Sequence, residues 1–475
     1  MDERAPRLAL LRLFIDGNAP LPEGAEGVRE AYRAFQRIAR SNYGEVVTDA
    51  TGERMTPSII RVGKSTEDDD KARKLWKNNR LDVWATDVHR DMLALSKGYV
   101  TVQKDAETDE VEVVYERPEQ CYVEHDPSRP DKRRAGVKVY RDLVEKRDYA
   151  YLHLPGKPSG TVWRFWRACY DSTVVLARPR LIERFQGGWQ PDAEFNLVPI
   201  DAEPDDIGPG RPTGLTVVPI VPFINRGELG EYETHIDLLN RINWVILQRL
   251  VITAIQAYKQ RALKGDLPET DEDGNNIDYG EMFKPGAGSL WRLPEGVELW
   301  ESGQTDISGI LESAKADILE LAASTRTPMS ALMPESTNQS AEGASFAREG
   351  LVFKANDRIA RAKSSWVEVV KLMLTLANGE EPEEVDVDFL PAERQSMAER
   401  YDALSKAGTD VPWRTKMSDI LGFDGAKIDR MAVERAEDAM FTATLAPPTP
   451  PAVAPGTVAP KPAEGTPPNV VPNAA

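Results

Sequence analysis

Cysteine is nearly missing. Cys121 and Cys169 are the only two in 475 residues. That is too few for a disulfide framework, and their spacing is not metal-like, so they read as two unpaired, mostly buried thiols. Histidine is also scarce, with four in all. There is no Cys/His cluster and no His-Glu-x-x-His, and no metal site is expected. His89 reads as a surface or partly buried side chain among charged neighbours. His125-Asp126 lacks both a nucleophile elbow and a third partner, which argues against a hydrolase. No glycine-rich loop ends in Lys-Ser or Lys-Thr, so ATP hydrolysis is not expected. Positive charge is in deficit: a net charge of −18 argues against gripping nucleic acid over a wide basic surface. No apolar run reaches the ~20 residues a bilayer needs. The acidic start Met1-Asp2-Glu3 is unlike a signal peptide, and Arg12 interrupts the short apolar run 8–15. With 77 acidic residues, carboxylate pairs carry no catalytic information. No enzyme activity and no cofactor are expected.

What is present is helix. A chain of 475 residues should form two or three domains, and 231–376 organises the rest. A first helix is predicted over 232–264, about 50 Å long. Lys259, Arg261 and Lys264 sit in its last turns and Gly265 ends it. Trp244, Val245, Ile246, Leu247, Leu250, Val251, Ile252 and Ile255 make it apolar nearly all round, so most faces must be buried. Either it is a central core helix, or it packs between identical neighbours in an oligomer. An insert, 266–303, reads as a small β unit with a turn at 271–276 and Trp291, Val297, Leu299 and Trp300 on short pieces. Its acidic run fails as a calcium loop: Glu269 would be the first ligand, and Glu281 falls one residue late for the twelfth. A second helix is predicted over 306–324, capped by Thr305 or Asp306. Pro328 and Pro334 then impose a loop. A third helix, 340–376, carries a buried stripe through Val352, Ala355, Ile359, Trp366, Val369 and Met373. Gly343 and Gly350 weaken its first turns and predict a bend.

Earlier in the chain, 8–15 is amphipathic, 28–40 is helical, and 42–62 mixes short strands and turns. Further helices carry Ala72, Leu75 and Trp76, then 81–97, stopped by Gly98. From Tyr99 the period changes to two, giving strands over 99–103, 111–115, 121–123, 137–140, 149–154, 162–166 and 215–221. After the third helix come a strand over 385–389 and helices over 392–407, 412–421 and 427–441. From Pro447 the Pro/Ala-rich composition cannot bury a core, and the tail should be disordered or extended.

Several of these residues resemble one family. Tyr232-Glu233, the run Asp237-Leu238-Leu239-Asn240-Arg241-Ile242-Asn243, and Gln256-Ala257-Tyr258-Lys259-Gln260-Arg261 resemble the stem helix of tailed-phage portal proteins, of the siphovirus type. Asn338-Gln339-Ser340-Ala341-Glu342, then Lys354-Ala355-Asn356-Asp357-Arg358 and Trp366, resemble that family's tunnel loop and the long helix after it. The likeness spans roughly Asn42 to Arg435. Gly343-Ala344-Ser345 departs from it, where relatives carry better helix formers.

The resemblance implies an α+β portal fold: an N-terminal helical segment (1–41), a wing (42–230), stem helix 1 (231–265), a β clip (266–304) and stem helix 2 (305–326). A tunnel loop (327–340), a long kinked wing helix (341–378), a crown (379–445) and the tail (446–475) follow. It implies a homo-oligomeric ring, commonly of twelve copies, at one capsid vertex of the virion, assembled in the host cytoplasm. Double-stranded DNA would pass through the ring without sequence specificity. Thr327, Met329, Ser330, Ser336, Thr337, Asn338, Gln339 and Ser340 would line its narrowest point. Trp244, Leu247, Leu250, Val251 and Ile255 would pack between subunits. The terminase large subunit, as packaging motor, and a head-completion adaptor would dock on the clip at Tyr279, Phe283 and Trp291, unless Trp291 belongs to the clip's own core. Major capsid and scaffolding proteins would touch the wing. Two other readings are a non-viral adaptor oligomerising through the long helix and an enzyme assembled from scattered carboxylates.

Overall fold

The computed structural model describes residues 3–21, 30–65, 67–105, 108–168, 188–196, 208–257, 261–266, 269–270, 274, 276–279, 296–301, 303, 306–333, 341–393, 397–408, 410–423 and 425–445. The chain divides into two units, Met1–Gly425 and Ala426–Ala475. The described part of the second is the body of the helix Gly425–Leu445. The Pro/Ala-rich tail from Pro447 lies outside the described residues.

The architecture mixes helices and antiparallel sheets. The strands are β1 (Pro57–Val62), β2 (Lys97–Lys104), β3 (Val111–Glu116), β4 (Cys121–Asp126), β5 (Arg129–Asp142), β6 (Arg147–Leu154), β7 (Thr161–Ala168), β8 (Gln190–Pro191), β9 (Arg211–Pro212), β10 (Ile220–Ile224), β11 (Arg261–Lys264), β12 (Glu298–Glu301) and β13 (Val385–Phe389). They form sheets in the orders β10-β2-β3, β4-β5-β6-β7-β8 with β9 on β7, β1-β13 and β11-β12. The period-two reading is met from β2 to β7. In β2 the alternation separates two cores. Val100 and Val102 enter the main core with the helices, while Tyr99 joins Cys121, Val123, Val218 and Ile220 in a small cluster. Burial pushes the Cys121 thiol well above its ordinary range, as expected of an inert core cysteine. Cys169 lies outside the described residues.

The main core is aromatic. Trp366, on the helix Ala341–Asn378, lies 4.8 Å from both Trp76 and Phe223, centroid to centroid. Its Nε1 donates to His89 Nε2 at 2.8 Å. His89 is therefore a core residue, 1% exposed, and not the surface or partly buried side chain expected from its charged neighbours. On the helix Leu81–Leu95 it follows the buried Ala85 and Val88. Burial pushes its pKa down to about 4.

Other expectations need correction. Residues 43–52 form a helix, Tyr43–Gly52, where strands and turns were expected. Gly44, Val47, Thr48 and Thr51 are buried at helical spacing. The helix Leu81–Leu95 ends at Ser96, whose φ is 73°, not at Gly98. Gly98 serves a close approach instead: a Cβ there would lie 2.6 Å from the Val88 carbonyl oxygen. The strand expected over 215–221 is confined to Ile220–Ile224. The first long helix is also shorter, spanning Ile236–Ala257 after a 3-10 turn, Glu233–His235. Arg261–Lys264 leave the helix because they pair antiparallel with Glu298–Glu301, Leu263 opposite Leu299. The third helix, Ala341–Asn378, includes Gly343 and Gly350.

The N-terminal helix Ala5–Ile15 buries Leu8, Leu11, Phe14 and Ile15. They pack with Tyr232, Leu238, Leu239 and Ile242 and with Ile318 and Leu321 of the helix Ser308–Thr325. Arg12, which interrupts the apolar run in sequence, pairs with Asp91 at 3.0 Å and Glu119 at 2.8 Å.

Candidate functional site

Three helices meet around Glu231, next to the start of the segment 327–333. Gly230 brings the chain in: a Cβ there would lie 2.3 Å from the Ala94 carbonyl oxygen, so only glycine fits. The next residue, Glu231, is held by its own N–H, which donates to Leu93 O at 2.7 Å. Tyr232 then anchors the turn, donating its hydroxyl to Leu11 O at 2.7 Å. The Ser308–Thr325 helix packs beside Ile236–Ala257, and Arg241 reaches Asp317 at 3.0 Å and also pairs with Glu320. It closes with Arg326 in the left-handed region, φ 54°. Thr327 N donates back to Ala322 O at 3.0 Å, a common way of satisfying terminal carbonyls.

The Ala341–Asn378 helix supplies two buried cations to this corner. Lys354 Nζ donates to Thr325 O at 2.8 Å and lies 3.5 Å from Glu231 Oε2. Arg358 Nε pairs with Glu231 Oε1 at 2.6 Å, and Asn225 Nδ2 donates to the same oxygen at 3.1 Å. Arg358 also pairs with Asp357. Burial pushes the Glu231 carboxyl upward, but Lys354 and Arg358 outweigh it and hold the group below its ordinary value. Burial pushes the Lys354 ammonium downward, against the pull of Glu231. One carboxylate thus links the segment before the first helix, the end of the second and the middle of the third. Chemically this is an ionic joint: its members fix relative position, since a buried carboxylate must keep its cations.

Of the residues expected to line a channel, Thr327 is buried, with Oγ1 2.9 Å from the Thr325 hydroxyl. Met329 packs partly buried against the N-terminal cluster, and Ser330 is exposed. Both lie on a one-turn helix, Met329–Leu332, that begins after Pro328. Ser336, Thr337, Asn338, Gln339 and Ser340 lie outside the described residues. Of the expected subunit contacts, Leu247 is wholly buried within the chain, whereas Trp244 is 47% exposed. Leu250 and Val251 are half-buried. The Ile255 side chain is outside the described set, as are Phe283 and Trp291, while Tyr279 is half-buried. The joint itself was not anticipated as a site. Its signal in the sequence is a pair of basic residues four apart, 354 and 358, inside an apolar stripe.

Among the described residues, no cluster of His, Cys, Asp and Glu could hold a metal ion, and no helix is long and apolar enough to cross a membrane.

The chain mixes helices and antiparallel sheets, and a buried ionic joint pins its long helices. The chain belongs to the phage portal protein family, SPP1 Gp6-like, whose family model matches residues 2–154 and 209–440. It is accordingly a structural portal, or connector, protein; the family is not enzymatic. Among solved structures, it resembles a chain of the virion of a native gene transfer agent particle at 12% identity and a TM-score of 0.42, covering 86% of this chain and 97% of that one. A chain from the neck of the native particle, computed with C12 symmetry, matches at 12% identity and 0.42, covering 86% and 91%. One from the neck of the empty particle, computed with C6 symmetry, matches at 11% and 0.42, covering 84% and 94%. It is the family match, not these distant likenesses, that assigns the chain. No curated protein matches.

Proposed function

We propose that the chain closes into a ring, of about twelve copies as in other portals, at one vertex of a virion, and that DNA enters and leaves through its axis. The supporting observation is the helix Ile236–Ala257. It is apolar on most faces, yet the single chain leaves Trp244 47% exposed and Leu250 and Val251 half-covered. Its companion, Ser308–Thr325, leaves Leu319 57% exposed. Exposed aromatic and aliphatic side chains on neighbouring helices are what a closed head-to-tail ring would cover. In this reading the two helices are the stem and 266–304 is the clip. The β-rich region and the long helix are the wing, and 379–445 is the crown. The loop 327–340, with Ser330 exposed at its root, is the narrowest point. A net charge of −18 lets DNA slide, because acidic walls repel phosphate rather than hold it. The packaging motor (terminase large subunit) and a head-completion adaptor dock on the clip through Tyr279, Phe283 and Trp291. Major capsid and scaffolding proteins meet the wing. Assembly takes place in the host cytoplasm.

The test is packaging. Particles assembled without this chain are expected to contain no DNA, and supplying the chain restores filling. DNA-filled particles made without it would overturn the reading.

A further inference from the structure

The ionic joint borders a cavity of about 400 Å3. Four basic side chains line it, Arg226, Arg326, Lys354 and Arg358, against one acid, Glu231. In a chain of net charge −18 this local excess runs against the prevailing sign. Glu231 is already engaged by Arg358, Asn225 and Lys354, and Arg358 has a second acid in Asp357. Arg226 and Arg326 make no ion pair among the described residues. Both stand at backbone corners. Arg226 opens the 3-10 turn Arg226–Glu228. Arg326 holds a left-handed φ of 54°, a helix-end position that glycine or asparagine occupies with less strain. Thr234 and His235 also line it, while Asn225, Ser324 and Thr325 already donate within the chain, to Glu231 and Leu229 O or to Leu321 O.

We propose that this cavity binds a phosphate group. Two guanidinium forks and an ammonium offer more donors than a carboxylate can accept, and a tetrahedral oxyanion matches them. Lys354 is 6% exposed and spends one donor on Thr325 O. Its contact with Glu231, at 3.5 Å, leaves the ammonium a third donor for a ligand. The phosphate comes either from free inorganic phosphate or from the DNA backbone. Only the second source rests on the portal reading.

The test compares the full-length chain with the double variant Arg226→Gln, Arg326→Asn, which leaves Lys354, Arg358 and Glu231 in place; asparagine tolerates the left-handed backbone. Thermal unfolding is followed in sodium phosphate and in sodium chloride at equal ionic strength. Phosphate is expected to raise the wild-type midpoint by about 2 °C or more. Calorimetric titration with phosphate is expected to weaken at least ~10-fold in the variant. The single variant Arg226→Gln, exposed in the turn, gives the same direction should the double variant fold poorly. Equal wild-type midpoints in the two salts, or an equal rise in wild type and variant, would overturn the proposal. A short DNA duplex is then offered in competition with phosphate. Displacement that is lost in the double variant assigns the site to the DNA backbone. Phosphate binding without displacement assigns it to the free ion.

Discussion

Lys354 Nζ lies 2.8 Å from the Thr325 carbonyl oxygen, so a charge from the middle of one long helix closes the end of another. The same ammonium shares Glu231 with Arg358. Glu231→Ala leaves two buried cations without their common acid and is expected to cost about 3–5 kcal/mol of unfolding free energy. Lys354→Met keeps most of the volume and leaves the Arg358 pair intact, so it should cost less. Denaturant unfolding of both variants checks this order; a larger loss for Lys354→Met would contradict the shared-acid account.

Acid should weaken the fold through two histidines. His89 and His153 are both buried, and burial pushes each pKa down to about 4, with Lys138 adding to the effect at His153. Unfolded, each titrates at about 6.5. Between these values the unfolded chain binds more protons, so stability is fully present above about pH 6.5 and falls as pH drops toward 4. Each ring contributes on the order of 3 kcal/mol across that window. His89→Gln keeps an acceptor for Trp366 Nε1 and removes one titration. Its unfolding free energy should fall less steeply from pH 6.5 to 4 than that of the wild type. Parallel pH profiles would remove His89 from the account.

Gly98 and Gly230 should not tolerate a methyl group. Gly98→Ala places Cβ 2.6 Å from Val88 O, and Gly230→Ala places it 2.3 Å from Ala94 O. Both clashes are with backbone, which cannot rotate away. Each variant is expected to lose about 3 kcal/mol or more, measured as a drop in the denaturant midpoint. Wild-type stability in either would mean that the helix Leu81–Leu95 and its neighbours are less closely packed than described.

Much of the sheet and helix order was legible because periodicity is local. The alternation from Tyr99 to Trp166 marked strands β2 to β7 whatever packed on them, and the stripe around Trp366 marked the long helix. Misreadings came where a distant partner decided. Arg261–Lys264 look like a basic helix end until Glu298–Glu301 pair with them. His89 looks like a surface or partly buried side chain until Trp366 and Phe223 close over it. The joint of Glu231, Lys354 and Arg358 spans more than a hundred residues, so no window of sequence contains it. Residues 334–340 and 280–295, which carry most of the loop and clip candidates, lie outside the described residues.

Trp244 separates assembly from folding. It is 47% exposed, so Trp244→Arg should change the stability of the isolated chain by less than about 1 kcal/mol. Buried against a neighbour it would bring an unpaired charge into the interface, and the mass in solution should fall to that of single chains. An assembled species of unchanged mass would place Trp244 outside the contact.

The central claim is the ring, and the most direct measurement is electron microscopy of the purified full-length chain beside its mass in solution, repeated with capsid and scaffolding proteins present. The account predicts rings of about twelve subunits with an axial channel, in the first sample or in the second. A compact dimer or tetramer without a channel, under both conditions, would contradict it.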